Sequence, residues 1–286
     1  MMNPAPPNMP PSIFPSARHD ARVASTPTTT AQTEHPAYAL AFQDNEFLLR
    51  DDLRPVRFQL ELLKVELALS EADIDSTFVF YGSARIPSPE AAAAVLAAAT
   101  TADARAIAER LAAKARYYTV AQELAQLASS PAADGARNFT VCSGGGPSIM
   151  EAANRGAWDV GAPSIGLNIV LPFEQVPNPY VTPGLSFQFH YFALRKMHFL
   201  LRAKAVAVFP GGFGTFDEFF ELLTLVQTGK VAALPILLFG RDFWGKVVNF
   251  EALADEGVIA RRDLDLFHIV ETAEEGWAIV SAHYAL

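Results

Sequence analysis

The sequence predicts an α/β protein built on a doubly wound, mostly parallel sheet. Short apolar runs alternate along the chain with longer stretches of helical periodicity. The apolar runs are continuous and not interrupted by alternating polar residues, which indicates strands covered by helices on both faces. Several of these runs end in glycine-rich turns, as strands that lead into helices commonly do. Together the three patterns favour a Rossmann-like architecture.

The N-terminal segment differs in composition from the rest of the chain. Residues 1–38 are rich in Pro, Ser, Thr and Ala, and they bury too little apolar surface to offset chain entropy, so we expect a disordered tail. Residues 39–286 are expected to form one domain. Between Asn45 and Ser70 the pattern predicts an added N-terminal helix on the outside of that domain. Its apolar positions at helical spacing are Val56, Leu60, Leu63 and Leu67.

The strands and helices of the main domain follow in order along the chain. Strands are predicted at Thr77–Tyr81, Asn138–Cys142, Ser164–Leu171, Leu185–Tyr191, Ala205–Phe209, Ile236–Phe239 and around His268–Val270. Helices are predicted at Ala102–Ser129, after Pro147, at Phe192–Arg202, at Phe216–Gln227, from near Phe243 and from Ala273. This alternation of strand and helix is typical of a parallel sheet.

Charge and cysteine content exclude several classes of function. The formal net charge of −9 argues against a protein that binds duplex nucleic acid, because that task requires a surplus of Lys and Arg. Cys142 is the single cysteine, which leaves no disulfide framework and no cysteine metal site. No window is apolar enough for a membrane span, and the Pro-rich N-terminus does not resemble a signal peptide. We therefore expect a cytoplasmic protein without a metal.

Three loops of small residues follow predicted strands. They are Gly82-Ser83-Ala84, Ser143-Gly144-Gly145-Gly146 and Pro210-Gly211-Gly212-Phe213-Gly214-Thr215. Glycines allow backbone N–H groups to approach an anion, and the positive end of the following helix dipole adds to the attraction. Any one of these loops could be merely a tight turn, but their shared position at one rim of the sheet favours phosphate binding.

Known nucleotide-binding fingerprints narrow the choice of phosphate ligand. Neither glycine-rich loop completes the G-x-G-x-x-G/A pattern of dinucleotide sites, because both fail at the last position. The segment from Gly240 to Lys246 nearly forms a Walker loop, but Val247 replaces the required Ser or Thr, so we interpret it as a turn and helix start. A mononucleotide or a sugar phosphate is the better match.

Charged residues flank the third glycine loop on both sides. Asp217, Glu218 and Glu221 follow it, and carboxylates in a first helical turn stabilise the helix dipole in many proteins. Beside a phosphate they oppose the ligand charge, so contact with a ribose hydroxyl or an attacking water explains them better. Arg195 and Lys196 precede the loop on an otherwise apolar helix, where basic side chains commonly extend from a half-buried surface to solvent.

The combination of Arg195-Lys196 with Pro210-Gly-Gly-Phe-Gly-Thr-Phe-Asp-Glu218 resembles the signature of the LOG family. Members of that family are often labelled lysine decarboxylases, whereas the characterised ones are cytokinin riboside 5′-monophosphate phosphoribohydrolases or AMP nucleosidases. The segments Tyr81–Arg85 and Ser143–Asn154 resemble the longer bacterial branch. The resemblance extends over roughly residues 45–286.

This resemblance implies hydrolysis of the N-glycosidic bond of a nucleoside 5′-monophosphate, giving a free base and ribose 5-phosphate, without a cofactor. It implies Arg195 and Glu218 as the catalytic pair. Phosphate contacts carry over to Gly211, Gly212, Gly214 and Thr215, and further pocket candidates are Ser83, Gly144, Gly145, Gly146, Lys196 and Asp217. It also implies a homodimer or larger homo-oligomer, and the helix at Phe192–Arg202 is the expected contact. The base, whether adenine, a prenylated adenine or several, stays open.

Two other functions are compatible with the same fold. A non-catalytic nucleotide sensor would need the glycine loop but not the pair of Arg195 and Glu218. Lysine decarboxylation would need a pyridoxal phosphate Schiff-base lysine with an acidic partner for the ring nitrogen, and none of the lysines has a recognisable setting of that kind. The glycosidase is the function that the residues favour.

Overall fold

The structure is a computed structural model that describes residues 14–25, 28–131, 138–172 and 176–286. The chain divides into two compact units, Met1–Leu60 and Glu61–Leu286. The sequence placed a boundary after residue 38 instead, and the single domain over 39–286 stays a prediction. Residues 1–13 and 26–27 lie outside the described residues, and the disorder expected for residues 1–38 likewise stays a prediction.

The first unit contains two short helices, α1 at Ala17–Ala24 and α2 at Asn45–Leu48. Ser16 and Asp44 cap them, each accepting a hydrogen bond from a first-turn N–H group. Helix α3 spans Arg54–Glu71, so it starts in the first unit and continues in the second. It corresponds to the added N-terminal helix that the apolar spacing predicts.

Among the described residues, the second unit is organised around one sheet of seven parallel strands. The strands are β1 Thr77–Tyr81, β2 Thr140–Ser143, β3 Ser164–Ile169, β4 Ser186–Phe189, β5 Ala203–Val208, β6 Ile236–Phe239 and β7 His268–Val270. Their spatial order is β4-β3-β2-β1-β5-β6-β7. The predicted doubly wound α/β fold is confirmed, with every strand pair parallel.

Helices connect the strands and cover both faces of the sheet. They are α4 Pro89–Ala97, α5 Ala102–Ala112, α6 Arg116–Ser129, α7 Ile149–Asp159, α8 Phe192–Leu201, α9 Phe213–Gln227, α10 Arg241–Val247, α11 Phe250–Asp255 and α12 Ala273–Tyr284. On one face, Phe78 and Phe80 of β1 join buried residues of α6, α7 and α12. On the other, Tyr81 meets Phe199 of α8 with their ring centroids 5.1 Å apart. Two apolar faces explain the continuous apolar strands.

Two helix boundaries differ from the sequence prediction. The long helix expected over Ala102–Ser129 is divided into α5 and α6 by a turn, where the N–H of Tyr117 donates to the carbonyl of Lys114. The turn redirects the chain so that Tyr117 and Tyr118 are buried under the sheet, whereas α5 buries only Ala108. Helix α9 begins at Phe213, three residues earlier than predicted, because the glycine loop itself enters the first turn.

Successive strands are added on one side of β1 and then on its other side. The chain passes outward from β1 through β2 and β3 to β4 on one side, and then returns to build β5, β6 and β7 on the other. In open parallel sheets, ligands bind at such a switch point, outside the carboxyl ends of the strands. Among the described residues, no helix is long and apolar enough to cross a membrane.

Candidate functional site

The loops after β1 and β5 lie in direct contact at the switch point. The N–H of Ser83 donates to the carbonyl of Pro210 at 3.1 Å, and the N–H of Phe209 donates to the carbonyl of Tyr81 at 2.8 Å. Gly82 lies against Ile149, the first residue of α7, since a Cβ on Gly82 would fall 2.6 Å from a methyl group of Ile149. The three small-residue loops predicted from the sequence therefore meet at one rim of the sheet.

The loop after β5 leaves the start of α9 open. Gly212 occupies the N-cap position, and no described side chain accepts from the first-turn N–H groups. A Cβ on Gly211 would collide with the hydroxyl of Thr215 at 2.1 Å, whereas a Cβ on Gly212 or Gly214 would meet no described atom within 4 Å. The tight packing thus lies on the inner side of the loop, and Gly212 and Gly214 border free space.

The loop after β2 is instead held by a buried network of polar side chains. Asn154 of α7 accepts from the Ser143 hydroxyl at 2.7 Å and from the Asn178 amide at 2.9 Å, and its own amide donates to the Ser164 hydroxyl at 3.0 Å. Asn178 also donates to the carbonyl of Gly146. Sequence reasoning missed the role of Asn154 and Asn178. An asparagine among alanines inside a helical pattern was the available signal, because asparagine is a poor helix former.

Arg195 and Glu218 meet between these loops. Arg195 lies in the first half of α8 and Glu218 in the second turn of α9, and Arg195 Nη1 donates to Glu218 Oε1 at 3.2 Å. Their side chains are 11% and 13% exposed, so the ion pair is largely shielded from water. Arg195 Nε donates to the carbonyl of Leu167 on β3 at 2.6 Å, and the guanidinium lies 5.0 Å from the ring centre of Phe199.

Gly144 brings the loop after β2 against this pair. A Cβ on Gly144 would fall 2.6 Å from Arg195 Nη2 and 2.8 Å from the sulfur of Met150. A side chain there would displace the guanidinium. Gly144 therefore belongs at the site for a steric reason, while Gly145, with a φ of +72°, faces Asn168.

Lys196 and Asp217 lie at the edge of the site. Lys196 Nζ is 3.1 Å from Asp217 Oδ1 and 3.0 Å from Glu221 Oε2. Neither Lys196 nor Asp217 belongs to the described lining of the two cavities at the rim. The acidic cluster seen in the sequence is thus divided, because Asp217 and Glu221 pair with Lys196 whereas Glu218 pairs with Arg195.

Burial makes the Glu218 carboxyl a weaker acid than a glutamate exposed to water. Loss of hydration raises the pKa of Glu218 to about 7, although the Arg195 guanidinium acts in the opposite direction. Burial also raises the pKa of the Tyr81 phenol and of the Cys142 thiol, both of which interact electrostatically with Glu218. A carboxyl poised near neutrality in a cleft is typical of a functional group.

Arg195 lines two neighbouring cavities. A cavity of about 830 Å³ is bordered by the Gly211–Thr215 loop, Ser83 and Glu218. A second, of about 620 Å³, is bordered by Gly144, Gly146, Gln188 and Phe192. Ala84, Met150 and Arg195 line both cavities. Within the described residues, no group of three or more His, Cys, Asp and Glu side chains is arranged to hold a metal ion.

Comparison with known proteins gives one family match. Residues 150–280 match the model of a family described as "Possible lysine decarboxylase". This segment contains α7 from its second residue onward, Arg195, the third glycine loop and Glu218. A sequence search of curated proteins finds no significant match.

A comparison with solved structures matches, among others, two proteins of low sequence identity. One is a molybdenum cofactor binding protein from the phototrophic bacterium Rippkaea orientalis, at 15% identity and a TM-score of 0.45, covering 73% of this chain and 98% of that one. Another is the molybdenum cofactor carrier protein from Chlamydomonas reinhardtii, at 19% identity and a TM-score of 0.42, covering 74% and 99%.

Proposed function

We propose that the chain is a member of the LOG family, whose model matches residues 150–280, and that it hydrolyses the N-glycosidic bond of a nucleoside 5′-monophosphate. The products are a free base and ribose 5-phosphate. The observation that carries the proposal is the shielded pair of Arg195 and Glu218, which lies beside an uncapped glycine-rich helix start. A phosphate site and a carboxyl of raised pKa, only a few residues apart, suit a ligand whose reactive carbon is near its phosphate.

The 5′-phosphate binds at the start of α9 in this proposal. The first-turn N–H groups and the helix dipole favour an anion there, and no acidic residue occupies the first turn. The open space beside Gly212 and Gly214 lets phosphate oxygens approach the backbone closely. The Thr215 hydroxyl lies against Gly211 and is available as a further donor at the rim of the same cavity.

Glu218 acts at C1′ of the ribose. Cleavage of the bond between C1′ and the base nitrogen builds positive charge on the ribose ring, as in glycoside hydrolysis. The Glu218 carboxylate stabilises that charge and orients a water molecule, whose oxygen forms the new bond to C1′. The bonding electrons leave with the base, which takes up the proton that the attacking water loses. Arg195 holds the carboxylate in place through its planar guanidinium.

The second cavity is the place for the base. It shares Arg195 with the cavity beside the glycine loop and combines an aromatic ring, Phe192, with the amide side chains of Asn168 and Gln188. Aromatic faces stack on bases, and amide groups hydrogen-bond to their edges. A nucleotide anchored at α9 would thereby extend its base past the catalytic pair.

Lysine decarboxylation, which the family description names, fits the residues less well. A Schiff-base lysine must lose its proton readily. The lysine beside the pair is Lys196, where burial lowers the pKa but hydrogen bonds to Glu221 and Asp217 outweigh it, so the net pKa is raised. That ammonium group is held protonated, which favours an ion-pairing role.

Release of free base is the decisive measurement. Purified protein is incubated with AMP and, separately, with prenylated adenosine monophosphate, and base and ribose 5-phosphate are quantified by chromatography. We expect stoichiometric release of both products from at least one nucleotide. Tight AMP binding without release would replace the enzyme with a non-catalytic nucleotide-binding protein. Glu71→Gln, an exposed change at the end of α3, serves as the control with unaltered turnover.

The same proposal includes a homo-oligomer. Helix α8 carries three large exposed apolar residues, Phe192, Met197 and Leu201, beside the site. Their burial against a second copy would remove apolar surface from water. Light scattering coupled to size-exclusion chromatography should give at least twice the mass of 31.0 kDa, and Met197→Glu should reduce it.

A further inference from the structure

Helix α8, which carries Arg195, receives no cap from its own described residues. Tyr191 occupies the N-cap position and makes no side-chain capping bond. The carboxylate of Glu61 on α3 takes this role from a distant part of the chain. The N–H of His190 donates to Glu61 Oε1 at 2.8 Å, and the N–H of Tyr191 donates to Glu61 Oε2 at 3.3 Å.

The other end of α8 is attached to the same helix. Arg202, which follows α8, donates to Glu66 Oε1 and, at 2.9 Å, to the carbonyl of Ile74. His198 Nδ1 also lies 3.4 Å from Glu66 Oε1. Two carboxylates of α3, five residues apart in sequence, therefore bind the residues that immediately precede and follow α8.

Arg195 is linked to the capped end by a short chain of contacts. Its backbone N–H donates to the carbonyl of Tyr191 at 3.2 Å, and its guanidinium contacts Leu167 and Glu218. Movement of Tyr191 would shift the backbone of Arg195 and lengthen a guanidinium–carboxylate bond that already measures 3.2 Å.

We propose that Glu61 is a positioning residue that sets the distance between Arg195 and Glu218 by capping α8. A carboxylate at a helix N-terminus is stabilised by the helix dipole, and hydrogen bonds to an ionised acceptor are stronger than neutral ones. The added N-terminal helix thus contributes to catalysis through Arg195. The catalytic meaning rests on the proposed function, whereas the contact itself can be tested without turnover.

The titration of Glu218 reports the position of Arg195 directly. The charged and titratable groups that interact with Glu218 are Arg195 and Lys196 from α8, Asp217 and Glu221 from α9, Tyr81 from β1 and Cys142 from β2. Arg195 lowers the pKa of Glu218, so its displacement raises that pKa. Removal of the negative charge of Glu61 would by itself lower the pKa of a nearby carboxyl. The sign of the shift therefore separates positioning from direct electrostatics.

The experiment follows the carboxyl carbon of Glu218 by NMR as pH is varied, with Glu218→Gln used for assignment. In Glu61→Ala we expect the pKa of Glu218 to rise above its wild-type value. Glu61→Gln keeps an acceptor oxygen and should give a smaller rise, and it carries the test if the alanine variant fails to fold. Glu71→Ala, a loss of charge from the same helix at an exposed position, should leave the titration unchanged.

Turnover adds a second readout. If AMP is a substrate, Glu61→Ala should lower kcat by up to about 100-fold with KM nearly unchanged, because a misplaced catalytic group costs rate more than binding. An unchanged titration of Glu218 in a natively folded Glu61 variant, or a downward shift, overturns the positioning role. Absence of base release by the wild type would instead overturn the proposed function, while the titration would still decide the role of Glu61.

Discussion

The two glycine-rich loops, after β2 and after β5, are similar in sequence but differ in what holds them. Each leads into a helix whose sixth residue is polar, Asn154 in α7 and Glu218 in α9. Asn154 is fully buried and bonds to Ser143, Ser164 and Asn178, so a network of buried side chains holds the loop after β2. Glu218 borders a cavity beside an uncapped helix start. Equivalent positions in one fold thus serve packing in one loop and, in the proposed function, catalysis in the other.

The largest expected effect is on turnover. Glu218→Gln keeps the size of the side chain but removes the charge that stabilises C1′ and orients water. We expect kcat for base release to fall by about 10²–10⁴-fold, the range typical of a positioned acid or base. Binding of AMP, measured by calorimetry, should persist because the start of α9 is unchanged. Unaltered turnover would remove Glu218 from the mechanism.

The difference between the two loops also predicts a pH dependence of turnover, which arises from Glu218 beside the loop after β5. Burial raises the pKa of Glu218 to about 7, so the carboxylate is present above that pH and is lost as pH falls through it. We expect kcat/KM to decrease about tenfold per pH unit on the acid side of neutrality. Stopped assays between pH 5 and pH 9 test this. An acid limb centred near pH 4.5 would show that Glu218 titrates normally.

Asn154→Ala should act on stability, in contrast to Glu218→Gln. The substitution removes the acceptor of the Ser143 hydroxyl, one acceptor of the Asn178 amide and one donor to the Ser164 hydroxyl, at a cost of about 1–3 kcal/mol for each group left unsatisfied. We expect a clear loss in the free energy of unfolding, measured by urea denaturation. A variant with wild-type stability would contradict the conclusion that Asn154 holds the loop after β2.

One glycine substitution in each loop should have the smallest effects on stability and on AMP binding, and the pair compares the two loops directly. Gly145→Ala places a Cβ 2.6 Å from Asn168 Oδ1 in a left-handed conformation, and should cost about 1–3 kcal/mol of stability. Gly212→Ala meets no described atom, so stability should be retained. Its methyl group would instead enter the phosphate space and weaken AMP binding about tenfold, as loss of one charged hydrogen bond does. Thermal unfolding and calorimetry of both variants test the contrast.

Much of the fold could be predicted because its signals are local. Continuous apolar runs located the strands, and β6 and β7 have the predicted limits of Ile236–Phe239 and His268–Val270. The division between α5 and α6 was not predictable, since both segments have helical periodicity and only packing under the sheet requires the turn at Lys114. The early start of α9 was missed because glycines usually argue against a helix.

The sequence by itself determined the alternation of strands and helices, the glycine loops, and the presence of Arg195 and Glu218, because each is readable from neighbouring residues. Only the tertiary structure decided that Glu218 and not Asp217 pairs with Arg195, that Asn154 holds the loop after β2, and that Glu61 caps α8. These contacts join residues far apart in the chain, and they depend on the strand order that brings the ends of β1, β2 and β5 to one rim.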